Sequence, residues 1–184
     1  RLVSDWSSDV CSSDLMGAQE TFGRDIDDRE VILRELLALT AKVTQRMRVA
    51  GVAGRTVSIT VRFADFTTIT RARTVPEATD LTQEIYGAAV RLYDALGLQR
   101  ARLRLVGVRV EGLVPRATVH RQGVLGERER GWSEADRAVD RATLRFGSSA
   151  VRPASLIDRE ERHHGTPPDG PPGGPKPAAR HPVG

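Results

Sequence analysis

Apolar residues recur at steps of three and four along two segments of the chain, the spacing of an amphipathic helix. The first stripe consists of Ile32, Leu36, Leu39, Val43, Met47 and Ala50. The second consists of Leu81, Ile85, Ala88, Leu92 and Leu96. The pattern predicts two helices that each bury one face.

Capping residues bracket both predicted helices. Asp27 with Glu30 forms a capping-box pair that satisfies first-turn amides, and Gly51 suits the left-handed position after the last turn. We expect Asp80 with Gln83 to start the second helix and Gly97 to end it.

Strict alternation of apolar and polar residues predicts strands between and beside the helices. Residues 55–63 alternate, and a short turn at Ala64-Asp65 leads to a second run, residues 67–75, that Pro76 stops. These two runs are predicted to form an antiparallel hairpin. Residues 18–22 predict a short first strand.

The last predicted strand, residues 101–113, changes the phase of its alternation between Leu105 and Val106, so we expect a bulge beside Gly107. The resulting order, βαββαβ, predicts an α+β two-layer sandwich, in which a four-stranded sheet carries both helices on one face.

The C-terminal part predicts one further helix within residues 128–147, with Ser133 as its N-cap, Gly147 as its stop, and an apolar side made of Ala135, Val139, Ala142 and Phe146. Residues 158–184 are rich in proline and glycine, so we expect a disordered tail. The predicted organisation is a domain at 16–114, a linker at 115–131, a helical appendage at 132–157 and the tail.

Residues 1–15 have neither helical nor strand periodicity, and residues 9–15 spell what a widely used sequencing-adapter oligonucleotide encodes in one frame. We interpret this start as a cloning or assembly artefact, with the natural protein continuing ahead of Met16. Adapter codons in the nucleotide sequence would establish this.

Composition excludes several classes. No apolar run approaches the ~20 residues of a membrane span, and no secretory signal is present. Cys11 is the single cysteine, which excludes an internal disulfide and a cysteine-rich zinc site and favours a cytoplasmic protein. No phosphate-loop, dinucleotide or nucleophile-elbow motif occurs, and His163-His164 lies in the predicted tail. We expect no catalysis from this chain alone.

Positive charge is concentrated on the predicted strands. Residues 55–74 carry four arginines against Asp65, and residues 100–110 carry four arginines and no acid. The second helix region, residues 77–97, has a net charge of −3. A GC-rich genome would favour arginine codons everywhere, whereas this segregation favours a polyanion partner.

The sheet face away from the helices should therefore present arginines among the hydroxyls of Ser58, Thr60, Thr68, Thr70 and Thr74. No aromatic platform for stacking bases is expected on that face. Such a surface suits the phosphate backbone of duplex DNA and reads no sequence. The alternative is that threonine and arginine are merely good solvated strand residues.

The motifs themselves resemble a known family. Gln19-Glu20-Thr21-Phe22, then VRFADFTTITRART at residues 61–74, then Arg104-Leu105-Val106-Gly107-Val108-Arg109 are similar, in order, to the C-terminal little-finger domain of the DNA polymerase IV group of Y-family translesion polymerases. The resemblance covers residues 17–114, and residues 132–157 are similar to the C-terminal ends of some bacterial members.

The resemblance implies a monomeric fragment that holds primer-template DNA during error-prone synthesis and damage tolerance. The DNA-binding residues expected from charge and resemblance together are Arg62, Thr68, Thr70, Arg71, Arg73, Thr74, Arg102, Arg104 and Arg109. The metal-binding palm is absent from this stretch, so no cofactor is expected here and Mg²⁺ belongs to the parent polymerase.

Family members often carry a sliding-clamp peptide, Gln-x-x-Leu-Phe. The nearest match is Gln122 with Leu125, which lacks the aromatic residue, so a plain linker is the preferred interpretation. Two other identities stay open at this point: an inactive Y-family-like subunit of a mutagenesis complex, and a free-standing ferredoxin-like binding or regulatory module.

Overall fold

The computed structural model describes residues 8–12, 14–98, 101–119, 131–147, 151 and 153–156, the first of these as backbone alone. Its elements in chain order are β1 (Ser8–Ser12), β2 (Leu15–Ile26), α1 (Arg29–Val49), β3 (Val52–Phe63), β4 (Thr68–Thr79), α2 (Thr82–Ala95), β5 (Leu103–Glu111), β6 (Val114–Pro115), a 3₁₀ turn (Arg116–Thr118) and α3 (Trp132–Phe146). A separate unit, residues 152–184, contains a 3₁₀ turn at Ala154–Leu156.

The sheet has the order β1-β2-β5-β3-β4, with every neighbouring pair antiparallel and β6 added beside the start of β3. Each of α1 and α2 therefore joins two parallel strands that have one antiparallel strand between them. The predicted βαββαβ two-layer fold is confirmed, and β1 and β6 extend its four-stranded sheet.

Both helices bury the stripes that their spacing predicted. Ile32, Leu36, Leu39, Val43 and Met47 of α1 and Ile85, Ala88 and Leu92 of α2 form the core with the valines and isoleucine of β3 and β5. Ala50, the last member of the first predicted stripe, is exposed, because it follows the last turn of α1.

The ends of the helices differ in part from the prediction. Asp28, not Asp27, caps α1, because its Oδ1 accepts the Glu30 amide at 2.8 Å. Gly51 and Gly97 adopt the predicted left-handed conformation, with φ of 67° and 63°. Asp80 does not cap α2: it is buried and paired with Arg116, and Oδ2 of Asp136 accepts the Thr82 amide at 3.0 Å.

The expected bulge beside Gly107 is wrong. Pairing of β5 with β3 is continuous from Leu105 to Glu111, and the register shifts at Arg104 instead. Gly107 lies in regular strand beside Gln19, whose Cβ would be 3.0 Å from a Cβ at position 107. The phase change in the sequence arises because Leu105 faces away from the helices while Leu103 faces the core.

Helix α3 attaches through charge, not through its predicted apolar side. Arg48 of α1, whose side chain is 10% exposed, is 2.5 Å from Asp140 and 3.3 Å from Asp136. The same guanidinium donates to the Asp80 carbonyl at 3.0 Å. Every residue of α3 remains at least partly exposed, Phe146 included, and Ser133 lies inside the helix, which begins after Gly131.

The compact domain extends beyond the predicted boundary at Val114. Arg116 forms its ion pair with Asp80 and donates its amide to the Gly51 carbonyl at 2.8 Å, so the first part of the predicted linker belongs to the fold. Residues 120–130 and the predicted tail lie outside the described residues. At the other end, Ser8–Ser12 pairs with β2, and its origin as an artefact stays a prediction.

Replacing Arg48 with Met should release α3, since removing one partner of a largely buried ion pair costs about 3–5 kcal/mol. Hydrogen–deuterium exchange should show faster exchange of amides 132–146, while the β3 and β5 amides stay protected. Arg91→Met, which alters an exposed arginine of α2, is the matched control. Unchanged protection of α3 in Arg48→Met would contradict this attachment.

Glu35 of α1 gives the fold a pH dependence. Burial, and then the nearby charge of Glu20, raise the pKa of the Glu35 carboxyl. The folded state therefore holds this proton more tightly than the unfolded state, so the stabilising effect is present at low pH and is lost as pH rises through the raised pKa. Glu35→Gln should raise the melting temperature at pH 7 and leave it nearly unchanged below the ordinary carboxyl pKa. Equal shifts at both pH values would contradict this.

Candidate functional site

The pairing register assigns each polar strand residue to a face of the sheet. Val57, Ile59 and Val61 of β3 point to the helices, so the alternate positions of β3 and the residues opposite them lie on the open face. This set consists of Thr56, Ser58, Thr60 and Arg62 of β3, Thr68, Thr70, Ala72 and Thr74 of β4, and Leu105, Gly107, Arg109 and Glu111 of β5. Ser58, on a strand with neighbours on both sides, is only 4% exposed.

Arg71 and Arg73 are not on the face that the sequence predicted. Arg71 is opposite Ile59 and Arg73 is opposite Val57, so both side chains leave β4 on the helix side of the sheet. Both are nevertheless exposed, because β4 is the outermost strand at this end of the sheet. Both arginines are two-residue steps from Ile69 and Val75, so they share the face of those apolar residues, and the sequence already carried this signal.

The outer side of β4 is a free edge over residues 68–74, with no further strand beside it among the described residues. We call this segment the β4 edge. The Phe63 amide donates to the Thr67 carbonyl at 2.9 Å, which makes that pair a hydrogen-bonded one. Because such pairs alternate along an antiparallel ladder, the amides of Thr70, Ala72 and Thr74 point outward.

Hydroxyls line the open-face side of the same edge. Thr60 and Thr70 are joined across β3 and β4 by a hydrogen bond of 3.1 Å, and Thr56 and Thr74 by another of 3.1 Å. A hydroxyl has one proton and two acceptor positions, so each pair still has one proton free to donate outward. The β4 edge therefore presents hydroxyls, guanidinium groups, and backbone amides together with the carbonyls of the same residues. Arg71 covers one of these carbonyls, since its guanidinium donates to the Thr70 oxygen at 3.1 Å.

A second group lies at the end of the sheet where β3 turns into β4. Arg62 donates to the Thr68 hydroxyl at 3.0 Å, and the Arg102 carbonyl accepts the Ala64 amide at 3.0 Å, which brings the exposed arginine at 102 to this turn. Arg104, at the bulge, is 3.1 Å from Asp25 and stacks on the ring of Phe66. Arg104 is thus partly engaged inside the domain.

Arg109 is separate from both groups. It lies in mid-sheet, 3.7 Å from Glu111, which offsets its charge. Beside it, Gly17 and Gly107 leave a shallow depression of about 20 Å³ lined by Gln19 and Thr60, enough for about one water molecule.

The predicted site residues thus separate into three places: Thr70, Arg71, Arg73 and Thr74 on the β4 edge, Arg62, Thr68, Arg102 and Arg104 at the hairpin end, and Arg109 in mid-sheet. Gln122 and Leu125 of the weak clamp motif lie outside the described residues. The sequence prediction missed the outward amide of Ala72, the pairing of Arg104 with Asp25, and the exposed Phe66.

Within the described ranges, no cluster of three or more His, Cys, Asp or Glu side chains could hold a metal ion. Among the described helices, none is long and apolar enough to cross a membrane.

Outward amides, hydroxyls and guanidinium groups are all donors, and together they match the acceptor oxygens of phosphate groups. A row of such donors along a strand edge can follow a chain of phosphates without contacting a base edge. The arrangement is therefore chemically suited to a nucleic-acid backbone.

Comparisons with known proteins identify the family of this chain. The model of the impB/mucB/samB family C-terminal domain matches residues 14–124, more than half of the chain. DNA polymerase IV of Moorella thermoacetica is 38% identical over 139 residues, which is 76% of this chain and 34% of that protein. DNA polymerase IV of Desulfatibacillum aliphaticivorans is 33% identical over 154 residues, which is 81% of this chain and 38% of that protein.

Among solved structures, a complex of the beta-clamp processivity factor with the little finger domain of PolIV matches 61% of this chain and 98% of that chain, at 21% identity and a TM-score of 0.47. The chain spans about a third of the length of the curated relatives it matches. The resemblance to Y-family polymerases found in the sequence is confirmed, and the chain belongs to the impB/mucB/samB family, as its C-terminal domain.

Proposed function

We propose that this domain holds the sugar-phosphate backbone of primer-template DNA, without sequence preference, for a Y-family polymerase engaged in translesion synthesis. The observation that carries the proposal is the β4 edge, where Arg71 and Arg73 flank outward backbone amides and the hydroxyls of Thr70 and Thr74. Family membership supports it and does not favour a free-standing module.

The length of the β4 edge fits this role. Residues 68–74 extend over about 20 Å, since a strand rises about 3.3 Å per residue. A DNA backbone winds around its axis, so successive phosphates of one strand lie about 7 Å apart although they rise only about 3.4 Å along the axis, and the edge can follow about three nucleotides. Backbone amides are fixed by the sheet and lose no rotamer freedom on binding, which makes them suitable for repeated phosphates.

Polymerisation is proposed for the whole protein. The curated relatives that match are DNA polymerases about three times as long, so nucleotidyl transfer, its Mg²⁺ ions and a cytoplasmic location belong to the proposal for the parent chain. The genomic sequence ahead of Met16 distinguishes an active polymerase, with palm carboxylates, from an inactive mutagenesis subunit. Gln122 and Leu125 stay the nearest match to a clamp peptide, with a plain linker as the preferred interpretation.

The double variant Arg71→Ala/Arg73→Ala should weaken duplex binding equally for all sequences and reduce the slope of log K against log salt by about two, since each phosphate contact contributes about 0.9. Fluorescence anisotropy with two unrelated duplexes at several salt concentrations measures both. The matched control is Arg62→Ala/Arg109→Ala, which removes the same charge from the open face. A larger loss in the control would place the interface on the open face instead.

Ala72→Pro tests the backbone amides separately from charge. Its amide points away from β3, so proline removes a donor while the ladder bonds remain, as edge strands tolerate. One charge-assisted hydrogen bond contributes about 1.5–3 kcal/mol, so duplex affinity should fall by about tenfold or more. Ala72→Val keeps the amide and should bind within about twofold of the wild type. Equal affinities of the two variants, at equal melting temperatures, would remove the amides from the interface.

A further inference from the structure

Phe66 has an unusual backbone conformation at the tip of the β3–β4 hairpin. Its φ of 67° is in the left-handed region, which bulky residues rarely adopt. The turn is closed by the Phe66 amide, which donates to the Phe63 carbonyl at 3.0 Å, and by Asp65, whose Oδ1 accepts the Thr67 amide at 2.9 Å. Glycine or asparagine would form this turn at lower cost, so the turn itself does not require a phenylalanine.

The ring is exposed as well as strained. Phe66 is 64% exposed, although a large aromatic side chain gains most from burial. The Arg104 guanidinium carbon lies 4.8 Å from the ring centroid, and Nε of the same guanidinium donates to Asp25 Oδ1 at 3.1 Å. The ring is therefore supported by Arg104 while most of its surface is open to a ligand.

Phe66 lies where a bound DNA strand would arrive. It precedes Thr68, the first residue of the β4 edge, by two positions, and Arg62 joins the same end through its bond to the Thr68 hydroxyl. The hairpin tip therefore adjoins the Thr68 end of the β4 edge, and the Phe66 ring itself is turned toward Arg104 of β5.

An exposed aromatic next to a phosphate-binding edge suits one kind of ligand. Bases inside a duplex have both faces covered by their neighbours, so an isolated ring stacks only on a base with an open face, such as an unpaired base in an extension. Such stacking is sequence-tolerant, because every base has an aromatic face, and an arginine beside the ring strengthens it. The competing explanation is that the ring shields the Arg104–Asp25 pair from water.

We propose that Phe66, supported by Arg104, is a stacking platform for an unpaired base in the single-stranded extension that adjoins the bound duplex. This inference rests on the proposed grip of the β4 edge on duplex DNA. It adds a contact to single-stranded DNA that the edge alone does not provide.

Phe66→Asn tests it, since asparagine tolerates the left-handed turn and has no aromatic ring. Binding is measured for one duplex in four forms: blunt, with a 5′ unpaired extension, with a 3′ unpaired extension, and with an abasic extension on the end that the wild type prefers. The wild type should bind one extended duplex more tightly than the abasic and blunt forms. Phe66→Asn should lose between about fivefold and a hundredfold on that extended duplex and nothing on the blunt one. Phe66→Trp, which keeps an aromatic face, should retain the preference.

Each outcome decides between the explanations. An equal loss on blunt and extended DNA, or a lower melting temperature of Phe66→Asn, would overturn the proposal in favour of a structural role for the ring. Unchanged binding of every form would overturn it too. Failure of the wild type to bind the blunt duplex at low salt would instead remove the proposed function itself, which separates the two failures.

Discussion

The register of β3 against its two neighbours is the constraint on which the rest of the structure depends. Side chains alternate between faces with a period of two, so a slip of one residue would move every apolar side chain of β3 from the core to water. Val57, Ile59 and Val61 prevent that slip because all three are fully buried against α1 and α2. The same register decides where each arginine and threonine of β4 and β5 points, and therefore what the sheet offers to a ligand.

A surface formed by an edge strand differs from one formed by a sheet face. On a face, only alternate side chains reach the ligand and the peptide groups are all used in the ladder. On the β4 edge, both side-chain sets flank the peptide groups, so Thr70 and Arg71 contribute to the same surface although they point in opposite directions. Consecutive residues of an edge strand can therefore contact the same ligand.

Most of the fold could be predicted from the sequence, because periodicity reports burial directly. The stripe from Ile32 to Met47 and the alternation at Val57–Val61 each identify an element and its inner face. Other features depend on partners far along the chain. In the sequence Asp80 has the position of a helix cap, whereas in the structure it forms an ion pair with Arg116. The sequence of α3 indicates an apolar contact face, whereas in the structure Asp136 and Asp140 bind Arg48.

The sequence predicted which residue types line the candidate site, but it did not predict where their side chains point. Charge segregation selected the hairpin and β5 without regard to strand phase, and so it placed Arg71 and Arg73 on the open face although they leave β4 on the helix side. Phe66 carried no local signal, since an aromatic residue after Ala64-Asp65 is equally compatible with a buried turn. Asp25 lies 79 positions from Arg104, a separation at which pattern alone predicts no pairing.

The five residues of β1 have a consequence for handling the protein. They cover the outer side of β2 in an unbroken antiparallel ladder from Ser8 to Ser12. A chain begun at Met16 would lack β1 and would therefore expose the outer peptide groups of β2. The first residues of β2 carry few charges, whereas the β4 edge on the opposite side of the sheet carries Arg71 and Arg73. Unpaired edge strands without charged side chains are sites where protein chains associate with one another. The choice of first residue therefore affects whether the purified protein stays monomeric or aggregates.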